Sequence, residues 1–233
     1  MTKAVFFDAG HTLLYAHPDI GTVYADATAT FGLRLAPARF AETFVPVFKE
    51  TTRIYSQTST ASDPQDVAMW RDITRRIYDR LPALAGISFD AWFEVLYRRF
   101  GEPEVWRFYD DVEAVLSDLR KRGLKIGVVS NWDTRLKSIC DGLGLTRLVD
   151  FIVISAEVGV RKPDPRIFRM ALEKAGVRPE EAIHVGDLPE EDAEGARRAG
   201  LRPVLIDRKR RITGAFPSDV RVVASLSELV DLL

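Results

Sequence analysis

The stretch Ala4-Val5-Phe6-Phe7-Asp8-Ala9-Gly10-His11-Thr12-Leu13-Leu14 decides the fold. Its four apolar residues in a row from Ala4, ending on a carboxylate, fit a central parallel strand covered on both faces. In open α/β sheets ligands bind just beyond the carboxyl ends of such strands, so Asp8 stands where chemistry is usually done. A strand-end Asp taken alone is often only a turn former or a helix cap. Three later segments lift Asp8 above that reading.

The first is Leu124-Lys125-Ile126-Gly127-Val128-Val129-Ser130-Asn131, an apolar strand ending in a hydroxyl and an amide that both suit an anion. The second is Gly159-Val160-Arg161-Lys162-Pro163-Asp164-Pro165, where two prolines stiffen the chain around Lys162 and Pro165 suits the first turn of a helix. The third, Ala182-Ile183-His184-Val185-Gly186-Asp187, is followed by Asp192. Asp8, Asp187 and Asp192 are hard oxygen ligands suited to Mg²⁺, and Ser130, Asn131 and Lys162 are donors suited to a phosphate. Together they make the inventory of a phosphoryl-transfer site.

These four segments resemble, in order and spacing, motifs I to IV of the haloacid dehalogenase-like hydrolase superfamily. The likeness covers most of the chain outside roughly residues 16–104. It implies an α/β, Rossmann-like, mostly parallel sheet core at residues 1–15 and 105–233, with an inserted α-helical cap at 16–104. It further implies a phosphatase acting on a small phosphorylated metabolite through an aspartyl-phosphate. On that resemblance Asp8 is the nucleophile, Asp8, Asp187 and the Gly10 backbone carbonyl hold Mg²⁺, Asp192 binds or orients the ion, and Ser130 and Lys162 hold phosphoryl oxygens.

The chain departs from the family at one point. Its phosphatases usually read Asp-x-Asp-Gly-Thr, and here Gly10 replaces the second Asp and His11 the Gly. That second Asp protonates the leaving oxygen and later activates water, help typically worth about 10²–10⁴ in rate. Dehalogenase and phosphonatase branches also lack it. The alternatives are therefore a 2-haloacid dehalogenase, which needs no metal, a phosphonatase, for which Lys49 is the only cap lysine, and a catalytically weakened phosphate-binding module. His11 is either a space-filling bystander or a substitute proton donor. His184 reads as a packed strand residue, His17 as a loop residue, and Asp187 taken singly as a helix cap.

A formal net charge of −1, with 46% hydrophobic and 29% charged residues over 233 positions, fits one core plus a smaller insertion. It gives no reason to expect nucleic-acid or membrane binding. The single Cys140 and the absence of a secretion signal before the first strand lead us to expect a cytoplasmic protein, monomeric or homodimeric. Helical spacing recurs over residues 20–32, 37–55, 64–81 and 89–100, and from Asp110 helix and strand alternate, ending in a closing helix at 226–233. The joints at 14–17 and 101–106 are candidate hinges.

Overall fold

The computed structural model describes residues 1–210 and 216–233. Its first elements are β1 (Ala4–Phe7), β2 (Leu14–Ala16), α1 (Ile20–Ala29), α2 (Pro37–Tyr55), α3 (Asp63–Arg80), α4 (Phe89–Arg99) and β3 (Trp106–Phe108). There follow α5 (Val112–Lys121), β4 (Lys125–Ser130), α6 (Arg135–Leu143), β5 (Phe151–Ile154), α7 (Ser155–Val158) and α8 (Pro165–Ala175). The chain then runs through β6 (Ala182–Gly186), α9 (Gly195–Arg198), β7 (Arg202–Ile206) and β8 (Arg221–Val223).

The apolar run that opens the chain is the middle of a parallel six-stranded sheet in the order β5-β4-β1-β6-β7-β8. Side chains alternate across a strand. Phe7 accordingly joins the cluster on one face with Leu116 and Ile139, and Phe6 joins the other with Ile167 and Phe168. Phe7 pairs with Val128 on one side and Val185 on the other. Asp8, Ser130 and Asp187 therefore emerge from three adjacent strands at one edge.

The helices expected between the first strand and Gly101 are α1–α4. Their apolar faces close on Trp92, Tyr24 and Phe40, all essentially without solvent exposure, and the Trp92 indole N–H donates to Thr28 Oγ1 at 3.0 Å. Trp70 is half-buried, packed against Phe48 at 5.9 Å between ring centres.

Three local features differ from the sequence reading. Residues 14–16 and 106–108 pair as an antiparallel ribbon, Leu14 opposite Phe108 and Ala16 opposite Trp106, so the chain leaves and re-enters the core through paired strands. The helix due after β6 in the alternation of helix and strand is a wide π turn over Pro189–Glu194 followed by the short α9, because Asp192 turns inward and accepts the Leu188 N–H at 2.9 Å. The closing helix is a 3₁₀ turn over Ser227–Leu232, whose three-residue repeat places both Leu226 and Leu229 in the core.

The helical segment is fastened to the core beside Lys162. Thr60 forms a β-bridge with Val160, and the Arg161 N–H donates to the Ser59 carbonyl at 3.0 Å. The Arg161 guanidinium meets Asp66 Oδ1 at 2.8 Å, with the two side chains only 8% and 5% exposed. Nearby, Asp63 accepts both the backbone N–H of Thr134, at 2.9 Å, and its hydroxyl, at 2.7 Å. Among the described residues no helix is long and apolar enough to cross a membrane.

Removing one partner of a buried ion pair leaves an uncompensated charge and costs about 3–5 kcal/mol, whereas replacing both by apolar residues is often neutral. Asp66→Ala should therefore lose stability of that order in urea titration, and Asp66→Leu with Arg161→Met should recover most of it. Equal losses in the single and double variants would show that the pair contributes packing and not charge compensation.

Candidate functional site

Asp8 follows directly on β1, its N–H still paired to the Val185 carbonyl at 2.9 Å, and its side chain turns into the strand-end cleft. Ser130, the last residue of β4, donates its hydroxyl to Asp8 Oδ1 at 2.9 Å. Lys162 is 1% exposed, and its ammonium lies 2.7 Å from Asp8 Oδ1 and 2.5 Å from Asp192 Oδ1. Burial works against that charge, but Asp192 and Asp8 outweigh it and hold the Lys162 pKa above the ordinary lysine value.

Asp192 has both carboxylate oxygens engaged by the protein. Oδ1 takes Lys162 Nζ and His184 Nε2, the latter at 2.9 Å, and Oδ2 takes the Leu188 N–H at 2.9 Å. Burial pushes its pKa up, yet the charge of Lys162 and the bond from His184 overcome this and hold it well below the usual range. Gly186 makes the arrangement possible, since a β-carbon there would lie 2.0 Å from Asp192 Cγ.

Asn131, expected from the sequence as a phosphate donor, has its amide engaged by the protein. Its Oδ1 accepts the Lys162 N–H at 2.7 Å, and its Nδ2 donates to the Lys162 carbonyl at 2.9 Å and to Glu191 Oε2 at 2.7 Å. The amide is spent clamping the backbone of Lys162. Glu191 was legible only as part of an acidic turn, and burial first of all raises its pKa to about 7. His184 is the packed strand residue expected, edge-on to Phe168 at 4.9 Å. Desolvation lowers its pKa against the pull of Asp192.

Asp187 is half-buried just past β6. Burial, followed by the charges of Asp8 and Asp192, pushes its pKa up to about 8. The Asp8 pKa is also raised, by desolvation first and by Asp192, against the opposing pull of Lys162. Ionised together, Asp8, Asp187 and Asp192 would carry more negative charge than Lys162 neutralises, and carboxylate and carbonyl oxygens on Asp8, Asp187 and Gly10 are a donor set that suits a hard divalent cation. Among the described residues no three His, Cys, Asp or Glu side chains form a ready-made metal cage. Mg²⁺ does not require one, being usually held by one or two carboxylates with waters and substrate oxygens.

The loop after Asp8 is tight. Leu13 and Leu14 both donate to the Ala9 carbonyl, at 2.9 and 2.8 Å, and the His11 N–H donates to Leu14 at 2.7 Å. His11 has φ 56°, the left-handed conformation in which Gly is the usual occupant. Its side chain is exposed, and its pKa is lowered by desolvation first and then by the Lys209 charge, against Asp8. Beside Gly10 stands Trp132, with Cζ3 3.3 Å from where a β-carbon would be. The sequence reading passed over Trp132, Glu191 and Asp66. The available signal was adjacency alone, because Trp132 follows Ser130-Asn131 and Glu191 precedes Asp192.

The family model described as haloacid dehalogenase-like hydrolase matches residues 2–200. The haloacid dehalogenase-like hydrolase domain-containing protein 3 of Bos taurus is 31% identical, covering 99% of this chain and 93% of its own. A phosphoserine phosphatase of Thermus thermophilus is 34% identical over 90% of each. The crystal structure of a 2-haloacid dehalogenase from Pseudomonas syringae pv. Tomato DC3000 superposes with a TM-score of 0.63 at 26% identity, covering 100% of this chain and 98% of that one. With its parallel sheet carrying Asp8, Ser130 and Asp187 at one edge, the chain belongs to the haloacid dehalogenase-like hydrolases, and it is an enzyme.

Proposed function

We propose that this hydrolase is a Mg²⁺-dependent phosphatase acting on a small phosphorylated metabolite through an aspartyl-phosphate on Asp8. The observation that carries the reading is the Lys162 ammonium, fully buried and shared between Asp8 Oδ1 and Asp192 Oδ1. Transfer of a phosphoryl group spreads charge over its oxygens, and catalysis is mostly positioning and electrostatic stabilisation of that charge. Ser130 and Lys162 fix one carboxylate oxygen of Asp8, and the other is left to attack phosphorus in line with the leaving group. The phosphoryl oxygens then draw on Lys162 and the Ser130 hydroxyl. Mg²⁺ held by Asp8, Asp187 and the Gly10 carbonyl supplies further neutralisation of those oxygens.

Residues 16–104 are the cap of this site. Their attachment at Thr60, Asp63 and Asp66 lies next to Lys162 and Asn131, which suits a lid that shields the intermediate from bulk water. The metabolite is a small molecule, not a nucleic acid or lipid surface, and the one cysteine suits a reducing cytoplasm. The relative called phosphoserine phosphatase favours phosphate esters as substrates. A second reading, haloacid dehalogenation, is favoured by Gly10 and by the dehalogenase likeness. It leaves the raised Asp187 carboxyl without a role.

A screen of phosphate esters with and without Mg²⁺ tests the reading. Phosphate release should require the metal and stop in excess chelator, and Asp187→Asn should sharply raise the Mg²⁺ needed. Halide release from 2-haloacids that persists in chelator would move the assignment to dehalogenation. Asp8→Asn should abolish turnover while the melting temperature stays near wild type, and substantial residual activity would mean that the nucleophile lies elsewhere. Gly186→Ala forces Asp192 off the strand and Lys162 with it, so kcat should fall by about 10²-fold, the scale of losing one electrostatic donor. Unchanged kcat in that variant would show that the Asp192 contact does not set the position of Lys162.

A further inference from the structure

The missing side chain of Gly10 has been replaced in space by an aromatic wall. Trp132 Cζ3 stands 3.3 Å from the Gly10 β-carbon position, tighter than ordinary van der Waals contact. Trp132 is seated from both sides of its backbone. Its N–H donates to Ser155 Oγ at 3.1 Å, and its carbonyl accepts from Ser155 Oγ at 3.2 Å and from the Ala156 N–H at 3.3 Å. Ser155 is 1% exposed, and the indole packs edge-on to Trp106 at 5.0 Å. An apolar ring therefore occupies the flank of Asp8 beside Gly10, and neither Gly10 nor the indole offers a base there, while the side chain of the neighbouring His11 is exposed.

We propose that this protein takes up a phosphoryl group readily from acyl or aryl phosphates and gives it up slowly, so that Asp8 accumulates as its aspartyl-phosphate. The inference rests on the reading of Asp8 as a nucleophile towards phosphorus. In the first step an Asp8 oxygen bonds to phosphorus while the bond to the leaving oxygen breaks, and the electron pair departs with that oxygen. A carboxylate or phenolate leaves without a proton, whereas an alkoxide needs one that neither Gly10 nor Trp132 supplies. In the second step water bonds to phosphorus, the bond to Asp8 breaks and its electron pair restores the carboxylate, while the water proton passes to solvent or to the phosphate formed. With no carboxylate on residue 10 to act as base, that step lacks help typically worth about 10²–10⁴. It becomes rate-limiting.

Rapid mixing of the full chain with p-nitrophenyl phosphate and Mg²⁺ should give a burst of nitrophenolate stoichiometric with protein, followed by a slow linear phase. Intact-mass measurement after acetyl phosphate should find one added phosphoryl group, absent in Asp8→Asn. Glycerol phosphate should turn over at least about 10²-fold more slowly than the aryl ester. Because a β-carbon at position 10 meets the indole, Gly10→Asp is best paired with Trp132→Ala, and this double variant should lose the burst by accelerating the second step. Nitrophenolate and phosphate released in step without a burst, with the alkyl ester processed as fast as the aryl one, overturns the proposal. So does a phosphoenzyme that decays quickly in wild type and slowly in His11→Ala, since the imidazole is then the base. Failure of every donor to phosphorylate Asp8 or release phosphate with Mg²⁺ present overturns the phosphatase reading itself, and this inference with it.

Discussion

An ammonium group sealed inside a protein must find compensating charge or give up its proton, and the cleft is organised around that requirement at Lys162. An isolated buried charge is prohibitively unfavourable, and a buried pair holds only with good geometry and supporting hydrogen bonds. Lys162 meets those terms with two carboxylates on its nitrogen and with Asn131 bonded to both its N–H and its carbonyl. Asp192 meets them with His184 and the Leu188 amide. Even the wide π turn after β6 and the bare α-carbon of Gly186 follow from bringing the Asp192 carboxylate inward to this charge.

The same segment ties the site to the helical insertion. Arg161 precedes Lys162, and its guanidinium is buried against Asp66 at the start of α3. Two consecutive cationic residues thus face opposite ways, Lys162 to two carboxylates of the core and Arg161 to one of the insertion. Any displacement of α3 from the core breaks a buried ion pair one peptide bond away from the residue that polarises Asp8.

How much of this the sequence discloses depends on the length scale of each signal. The central strand, the strand ends at Ser130 and Asp187 and the four helices are written in local hydrophobic periodicity, and the structure has them. The ribbon of β2 and β3 joins residues about ninety positions apart through three pairs, too few for a periodic signal. The Asn131 amide suits an anion and a backbone clamp equally well, and only the fold reveals that Lys162 and Glu191 are within its reach. Glu191 looks like a helix-start acid until the π turn rotates it towards Asn131. Trp132 could not be connected with Gly10 without knowing that the ends of β1 and β4 lie side by side.

Parallel strands separated by crossovers also fix when the molecule can become an enzyme. Asp8 and Ser130 are 122 residues apart along the chain and Asp8 and Lys162 are 154 apart. As the polypeptide is synthesised, β1 emerges first yet occupies the centre of the sheet, with neighbours on both edges supplied much later. Its four apolar residues must wait unpaired until β4 and then β6 arrive, a demand that slows folding and exposes a sticky strand meanwhile. The insertion between β2 and β3 lengthens that wait but carries its own aromatic core around Trp92, so a structured body can form while the central strand is still without partners. Asp8 is made long before Ser130 and Lys162, and its contacts wait for both.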